Sequence, residues 1–250
     1  MRIAVAANVQ GNRIALEAFL ADARNFAIDQ IWAAGNVIGE GPDSDACLDI
    51  VLEKAAGMIA GDYEHRVVAG NYKSNDSGRA AFLAWLKQKF EEDGNIPDFP
   101  DQALVQADDV VHIAYRKFAG SKIPLIQPTA EGQSHAFNML AEIGARDVIA
   151  IGHPSAPCVY TIERYRTVPA RSAEEGYGLR YYLSIPEPHL FNVGSVGAGN
   201  NGRAEYMIFD SERRAATFRF VPYDADRNLR QIVRMTAPKN IKSWLMERNR

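Results

Sequence analysis

The chain has 250 residues, 47% of them apolar and 24% charged, the balance of an ordinary folded protein rather than a disordered or collagen-like one. Its 28 basic and 31 acidic residues leave a net charge of −3, without the basic excess that a phosphate backbone demands, which argues against nucleic acid as the main partner. Two cysteines, Cys47 and Cys158, make no disulfide framework and read as small buried apolar residues of a reducing compartment.

The apolar amino terminus stops at Asn8, and no run approaches the roughly 20 apolar residues of a membrane span. A cytoplasmic protein without a membrane partner is expected. Residues 3–7 form a short apolar run that reads as a buried parallel strand. After Gly11-Asn12, the residues Ile14, Leu16, Ala18, Phe19 and Leu20 fit one helix face. Residues 29–34 predict a second strand, 44–56 a helix with Cys47, Leu48, Val51 and Leu52 at helical spacing, and 58–60 a third strand before Gly61. Strands alternating with helices in this way imply βαβ units and a parallel sheet.

A longer helix is predicted over 77–92, with Phe82, Leu83, Trp85, Leu86 and Phe90 as its apolar face. Residues 101–107 and 109–115 read as two strands joined by an acidic turn, 131–144 as a helix, and 147–151 as a strand. Mostly antiparallel strands follow over 157–165, 178–185, 189–193, 204–210 and 215–221. An amphipathic helical tail closes the chain from about residue 223 to residue 250. Neither a repeat nor a Pro/Gly/Ser linker divides it, so one α/β domain is expected over 1–250.

Polar residues gather where these strands end, the place at which open α/β sheets bind ligands. Asn8, Gln10 and Asn12 follow the first strand, Gly35-Asn36 the second, and Gly61-Asp62-Tyr63-Glu64-His65 the third. Later strands lead to Val111-His112, to Gly152-His153-Pro154-Ser155 and to Asn192-Val193-Gly194-Ser195. Glycine and asparagine end strands in turns everywhere, but six strand ends in succession form a pattern.

In this order the residues resemble the calcineurin-like metallophosphoesterases, most closely their small bacterial and archaeal phosphodiesterases. That family runs D-x-H, G-D, G-N-H-[DE], a His after an apolar strand, G-H-x-H and N-P-G-S-V-G. Here the matching segments are Asn8-Val9-Gln10, Gly35-Asn36, Gly61-Asp62-Tyr63-Glu64, Val110-Val111-His112, Gly152-His153-Pro154-Ser155 and Asn192 to Gly197. Flanking residues agree too, among them Gly11-Asn12, Gly39 to Asp43, and Arg203 to Tyr206. The resemblance implies a four-layer α/β/β/α sandwich of two mixed sheets.

It also implies a dinuclear metal centre, and the departures fall on its ligands. One metal position of the family maps to Asn8, Gln10, Asn36 and Ser155, none of which carries a charge or an imidazole. The other maps to Asn36, Asp62, His112 and His153. Two divalent ions about 3.5–4 Å apart need carboxylates to hold them together, and Asp62 is the one acid among these positions. A dinuclear centre is therefore not expected. Two readings stay open. Asp62, His112 and His153 with the Asn36 amide could hold one Zn, Mn or Fe ion, or the histidines persist without metal as hydrogen-bonded strand-end residues.

Where the family has its phosphate-contacting His, this chain has Tyr63, with Glu64 in the orienting position. These two are the candidate catalytic residues, although a tyrosine with a reference pKa near 10 shuttles protons poorly at neutral pH. Alternation along an extended segment would point His65 away, and His135 and His189 read as surface residues. Asn8, Gln10, Asn12, Ser155, Asn192 and Ser195 are the candidate ligand-binding residues, with the Gly-rich stretch 197–203 and Arg116-Lys117 beside them. The leading expectation is a metallophosphoesterase-fold protein that binds a phosphate-containing small molecule, with at most one divalent ion and weak or lost hydrolysis. An active mononuclear phosphodiesterase and a non-catalytic protein-interaction scaffold are the alternatives, and a homo-oligomer stays open.

Overall fold

The first strand, β1 (Arg2–Ala6), pairs in parallel with β2 (Gln30–Ala34), and β2 pairs in parallel with β3 (Gly57–Ile59). The computed structural model describes residues 1–94, 99, 104–115, 148–152, 157–160, 165–167, 179–183, 189–198 and 202–249. Two helices connect the opening strands, α1 (Arg13–Ala23) and α2 (Ser44–Lys54). The side chain of Asn12 starts α1 by accepting the Ala15 N–H at 3.1 Å, and Ile14, Leu16 and Phe19 then fall on its buried face. Two more helices follow β3, α3 (Asp62–Ala69) and α4 (Ser77–Glu92), and Asp76 caps the second through the Arg79 N–H.

The remaining strands are β4 (Leu104–Gln106), β5 (Val111–Tyr115), β6 (Val148–Gly152), β7 (Cys158–Tyr160), β8 (Tyr165–Thr167), β9 (Leu179–Tyr182), β10 (His189–Asn192), β11 (Arg203–Asp210) and β12 (Ala215–Pro222). Helices α5 (Ala225–Arg234) and α6 (Lys239–Arg248) close the chain. The strands form two six-stranded mixed sheets, in the orders β3-β2-β1-β11-β12-β9 and β4-β5-β6-β10-β7-β8.

Strand alternation sorts the core into two layers. Ile3 and Val5 of β1, Met207 and Phe209 of β11 and Phe218 of β12 meet Val111, Ile113 and Tyr115 of β5 and Phe191 of β10 between the sheets. The opposite parity, Ala4 and Ala6 with Tyr206 and Ile208, packs under Leu16, Phe19, Phe82, Leu86, Ile232 and Leu245 from the helices. Each such large side chain contributes roughly 1.5–3 kcal/mol through burial. Three layers of the expected sandwich, helices, sheet and sheet, are thus in place. The helix expected over 131–144, which would build a fourth, lies outside the described residues. Among the described residues no helix is long and apolar enough to cross a membrane.

Two local expectations are corrected. The segment after Gly61 is a helix rather than an extended run, because Glu64 reaches back to the Gly61 N–H at 2.8 Å in a capping arrangement. His65 is exposed on that helix, so alternation is not what turns it away. His189 is not a surface residue: it begins β10 at 4% exposure, with its ring stacked on Phe191 and edge-on to Tyr181.

Candidate functional site

The loops leaving β1 and β2 are joined by backbone bonds: Asn8 N–H to Gly35 O at 2.9 Å, Gln10 N–H to Asn36 O at 2.8 Å and Gly11 N–H to Val37 O at 2.8 Å. This crossing turns Asn8, Gln10 and Asn36 into the left-handed region, with φ of 51°, 51° and 50°. Asparagine tolerates that backbone better than other L-residues do. A third loop, after β10, locks onto the first through Val196 N–H to Ala7 O and Gly197 N–H to Asn8 O, both at 2.9 Å.

Asn36 is the hub. Its side-chain oxygen accepts the Tyr63 N–H at 3.1 Å, and its Nδ2 donates to Asn8 Oδ1 at 3.2 Å and to the Tyr115 hydroxyl at 2.6 Å. A backbone N–H can only donate, so the Tyr63 contact fixes which end of the Asn36 amide is oxygen, and this in turn orients Asn8. Asn8 is wholly buried, and its Nδ2 has no acceptor among the described residues. Gly61 lets α3 approach this close, since a Cβ there would lie 2.4 Å from Asn36 Oδ1.

Glu64 holds the hub from behind. Fully buried, its carboxyl accepts the N–H groups of Gly61 at 2.8 Å, Ile38 at 3.0 Å and Asn36 at 3.1 Å. It ties the loop after β2 to the loop after β3 and faces no solvent. Tyr63 turns away from the strand ends: its hydroxyl donates to Glu40, which also pairs with Arg79 and Arg248, and its ring packs edge-on against Phe82. Burial pushes the Tyr63 hydroxyl well above its ordinary titration range. Asn12 is likewise committed within the fold, through the α1 cap, Gly197 O and the Tyr223 hydroxyl. Asn192 and Ser195 are also buried, Asn192 Oδ1 accepting the Gly194 N–H and the Ser195 N–H donating to Glu205. Gln10 is half-buried and packs over Gly39.

One expected ligand is displaced. The sequence places His112 at the carboxyl end of its strand, but His112 is the second residue of β5, and Tyr115 ends it. Val111, Ile113 and Tyr115 face the inter-sheet core, so alternation turns His112 to the opposite face, about 10 Å upstream of Tyr115. The residue that reaches Asn36 from β5 is Tyr115, 2% exposed. Its signal in the sequence is the parity of the strand, not the residue type. His153 and Ser155 lie outside the described residues, and Asp62 stands half-buried at the first position of α3. Among the described residues no three His, Cys, Asp or Glu side chains are grouped to hold a metal ion.

No family model matches the chain. An uncharacterized protein of Methanocaldococcus jannaschii is 26% identical over 98% of this chain and 96% of its own length. A metallophosphoesterase from Sphaerobacter thermophilus superposes with a TM-score of 0.70 at 22% identity over 98% of both chains. A hypothetical protein from Pyrococcus horikoshii gives the same TM-score at 17% identity, over 98% of this chain and 97% of its own. The chain has the metallophosphoesterase fold.

That fold brings with it an expectation of divalent metal, and the donors described at the Asn8–Asn36 hub do not fit a dinuclear centre. At the hub a neutral amide stands with its oxygen committed to a backbone N–H, and its nitrogen points at Asn8 and Tyr115. An N–H group offers a cation no lone pair. Two divalent ions about 4 Å apart repel by on the order of 15–20 kcal/mol even at an effective dielectric of 20, and the neutral amides of Asn8 and Asn36 do not offset that.

Two carboxyls near these loops titrate unusually. Burial pushes Glu64 up to about 7 against the opposing pull of its backbone donors, and burial pushes Glu205 up to about 7 as well. Both values exceed the ordinary 4.5, so the folded protein keeps protons that the unfolded chain has already released. Their stabilising contribution is full below about pH 4.5 and is lost as pH rises through about 7. Melting temperatures across that window are expected to fall with rising pH, and Glu205→Gln should flatten part of the slope. A melting temperature that climbs through the window would contradict this.

Proposed function

We propose that the protein binds a phosphate-containing small molecule where the loops after β1, β2 and β10 meet the Tyr115 end of β5. It takes at most one divalent ion, and phosphoester hydrolysis is weak or lost. The observation that carries this reading is the orientation of Asn36: the position that maps to the family's bridging carboxylate presents an N–H donor. The loops are nevertheless held in place by Glu64 and the locked β10 loop, which supports a binding role that outlasts the metal chemistry. Tyr63 and Glu64 act as positioning residues, Glu64 through backbone and Tyr63 through Glu40. Asp62, half-buried at the start of α3, is the side chain through which a single ion would bind, with His153 as its partner in that case. Cys47 and Cys158, both buried, fit a reducing compartment, the cytoplasm.

Thermal shift and turnover test the reading together. With a chelator present, phosphate or a nucleoside monophosphate at about 100 times its Kd is expected to stabilise by about 2.7 kcal/mol. For a chain of this size that is a rise of roughly 5–10 °C. A chromogenic phosphodiester with added Mn is expected to turn over no faster than its background. Mn-dependent turnover lost in Asp62→Ala would establish the mononuclear phosphodiesterase instead. No stabilisation by any phosphate compound, with another protein retained in a stable complex, would establish the scaffold.

A further inference from the structure

We infer that the strand-end centre is an oxyanion receptor: the buried amide of Asn8 donates to a phosphoryl oxygen, and no metal ion is needed to hold it. The inference rests on the phosphate-binding reading above and names the group that makes the contact. Its basis is a chain of hydrogen bonds whose direction is forced at the first link. The Tyr63 N–H can only donate, so Asn36 must present Oδ1 to it, at 3.1 Å. The Asn36 Nδ2 is then left to face Asn8 at 3.2 Å, so Asn8 must answer with Oδ1. The last donor in the series, Asn8 Nδ2, is buried in a residue with 0% exposure and meets no acceptor among the described residues.

A buried donor without an acceptor carries a desolvation penalty, and native structures keep such groups where a water or ligand supplies the missing partner. The missing partner here must accept. A metal cation cannot, and an oxyanion accepts more strongly than a neutral oxygen because the bond is charge-assisted. The backbone around this donor is held by the Glu64 carboxyl and by the Gly197 N–H to Asn8 O bond, so the amide is pre-oriented and loses little freedom on binding. The relay also makes a claim that a simple contact list would not. Asn36 touches no ligand, yet its nitrogen determines which end of the Asn8 amide is left to meet one.

Two isosteric substitutions read this out, and aspartate tolerates the left-handed backbone of both positions. Asn36→Asp keeps an acceptor for the Tyr63 N–H but turns a second acceptor toward Asn8. The Asn8 amide must then rotate to donate inward, and its free donor disappears. Asn8→Asp instead places a carboxylate oxygen where the donor was. Isothermal titration with inorganic phosphate in a chelator should give binding by the unaltered protein, weakened at least about tenfold in either variant. The side-chain amide resonances of Asn8 should shift on phosphate addition in the unaltered protein, a readout that needs no variant. Phosphate binding that requires added Mn or Zn would overturn the inference while leaving phosphate binding intact. Undiminished binding in both folded variants would place the anion elsewhere and overturn it too. No binding of any phosphate compound would overturn the inference and the reading it rests on together.

Discussion

Glu64→Ala is expected to lower the melting temperature by roughly 10 °C, the largest effect of any single side-chain truncation near the strand ends. The carboxyl is wholly buried and serves as acceptor for the N–H groups of Gly61, Ile38 and Asn36, none of which has water to turn to. Each buried donor left unmet costs about 1–3 kcal/mol, offset in part by removing a carboxyl that burial disfavours when ionised. A net loss of about 4 kcal/mol corresponds to roughly 8–16 °C in a chain of this length. Glu64→Gln discriminates the cause. Its single oxygen can sit where Oε2 accepts both Gly61 and Asn36, leaving only the Ile38 N–H without a partner. The glutamine variant should therefore lose less than half as much, and it should also lose its share of the pH dependence between about 4.5 and about 7. Equal losses in the two variants would show that packing volume, and not the three N–H groups, is what Glu64 supplies.

Much of this architecture was legible because buried parallel strands and amphipathic helices announce themselves by period. The expected helix over 77–92 matches α4 in full, and the expected strands of the first sixty residues fall within a residue or two of β1, β2 and β3. The misses have physical reasons. Helix α3 has only eight residues and two buried apolar side chains, Tyr63 and Val67, too few for periodicity to register. Its real signal is the acid at the third helical position reaching back to the Gly61 N–H, a capping cue rather than a hydrophobic one. His112 drew attention as a residue type that binds metal, whereas the inward parity of Val111, Ile113 and Tyr115 already placed it on the other face. His189 reads as a surface residue by type, but its imidazole stacks on Phe191, and β10 begins with it. The direction of the Asn36 amide was beyond any sequence argument, since it depends on one backbone N–H approaching across 27 residues of chain.

Gly197→Ala should be nearly as damaging as the loss of Glu64, for the opposite reason: nothing is removed, and a single methyl group has no place to go. A Cβ at 197 would lie 1.9 Å from the Val9 carbonyl oxygen and 2.8 Å from the Asn12 Cβ. Neither neighbour is the far end of a flexible side chain. Val9 O belongs to the loop that also carries Asn8, and Asn12 is fixed by capping α1 and by bonding Gly197 O. Relief requires the two loops to part by an ångström or more, which breaks Gly197 N–H to Asn8 O and stretches Val196 N–H to Ala7 O. Overpacking of about 1–3 kcal/mol plus two or three bonds at about 1 kcal/mol each gives a loss of roughly 3–6 kcal/mol. Gly202→Ala is the matched control. Gly202 has a φ of 74°, yet a Cβ there would meet nothing nearer than 3.4 Å, so only the backbone preference is lost, at about 1 kcal/mol. The 197 variant should also bind phosphate more weakly even at temperatures where it remains folded, because parting the loops carries Asn8 with it. If the 197 and 202 variants melted together and bound phosphate alike, the close approach of these two loops would not be what holds the Asn8 donor in place.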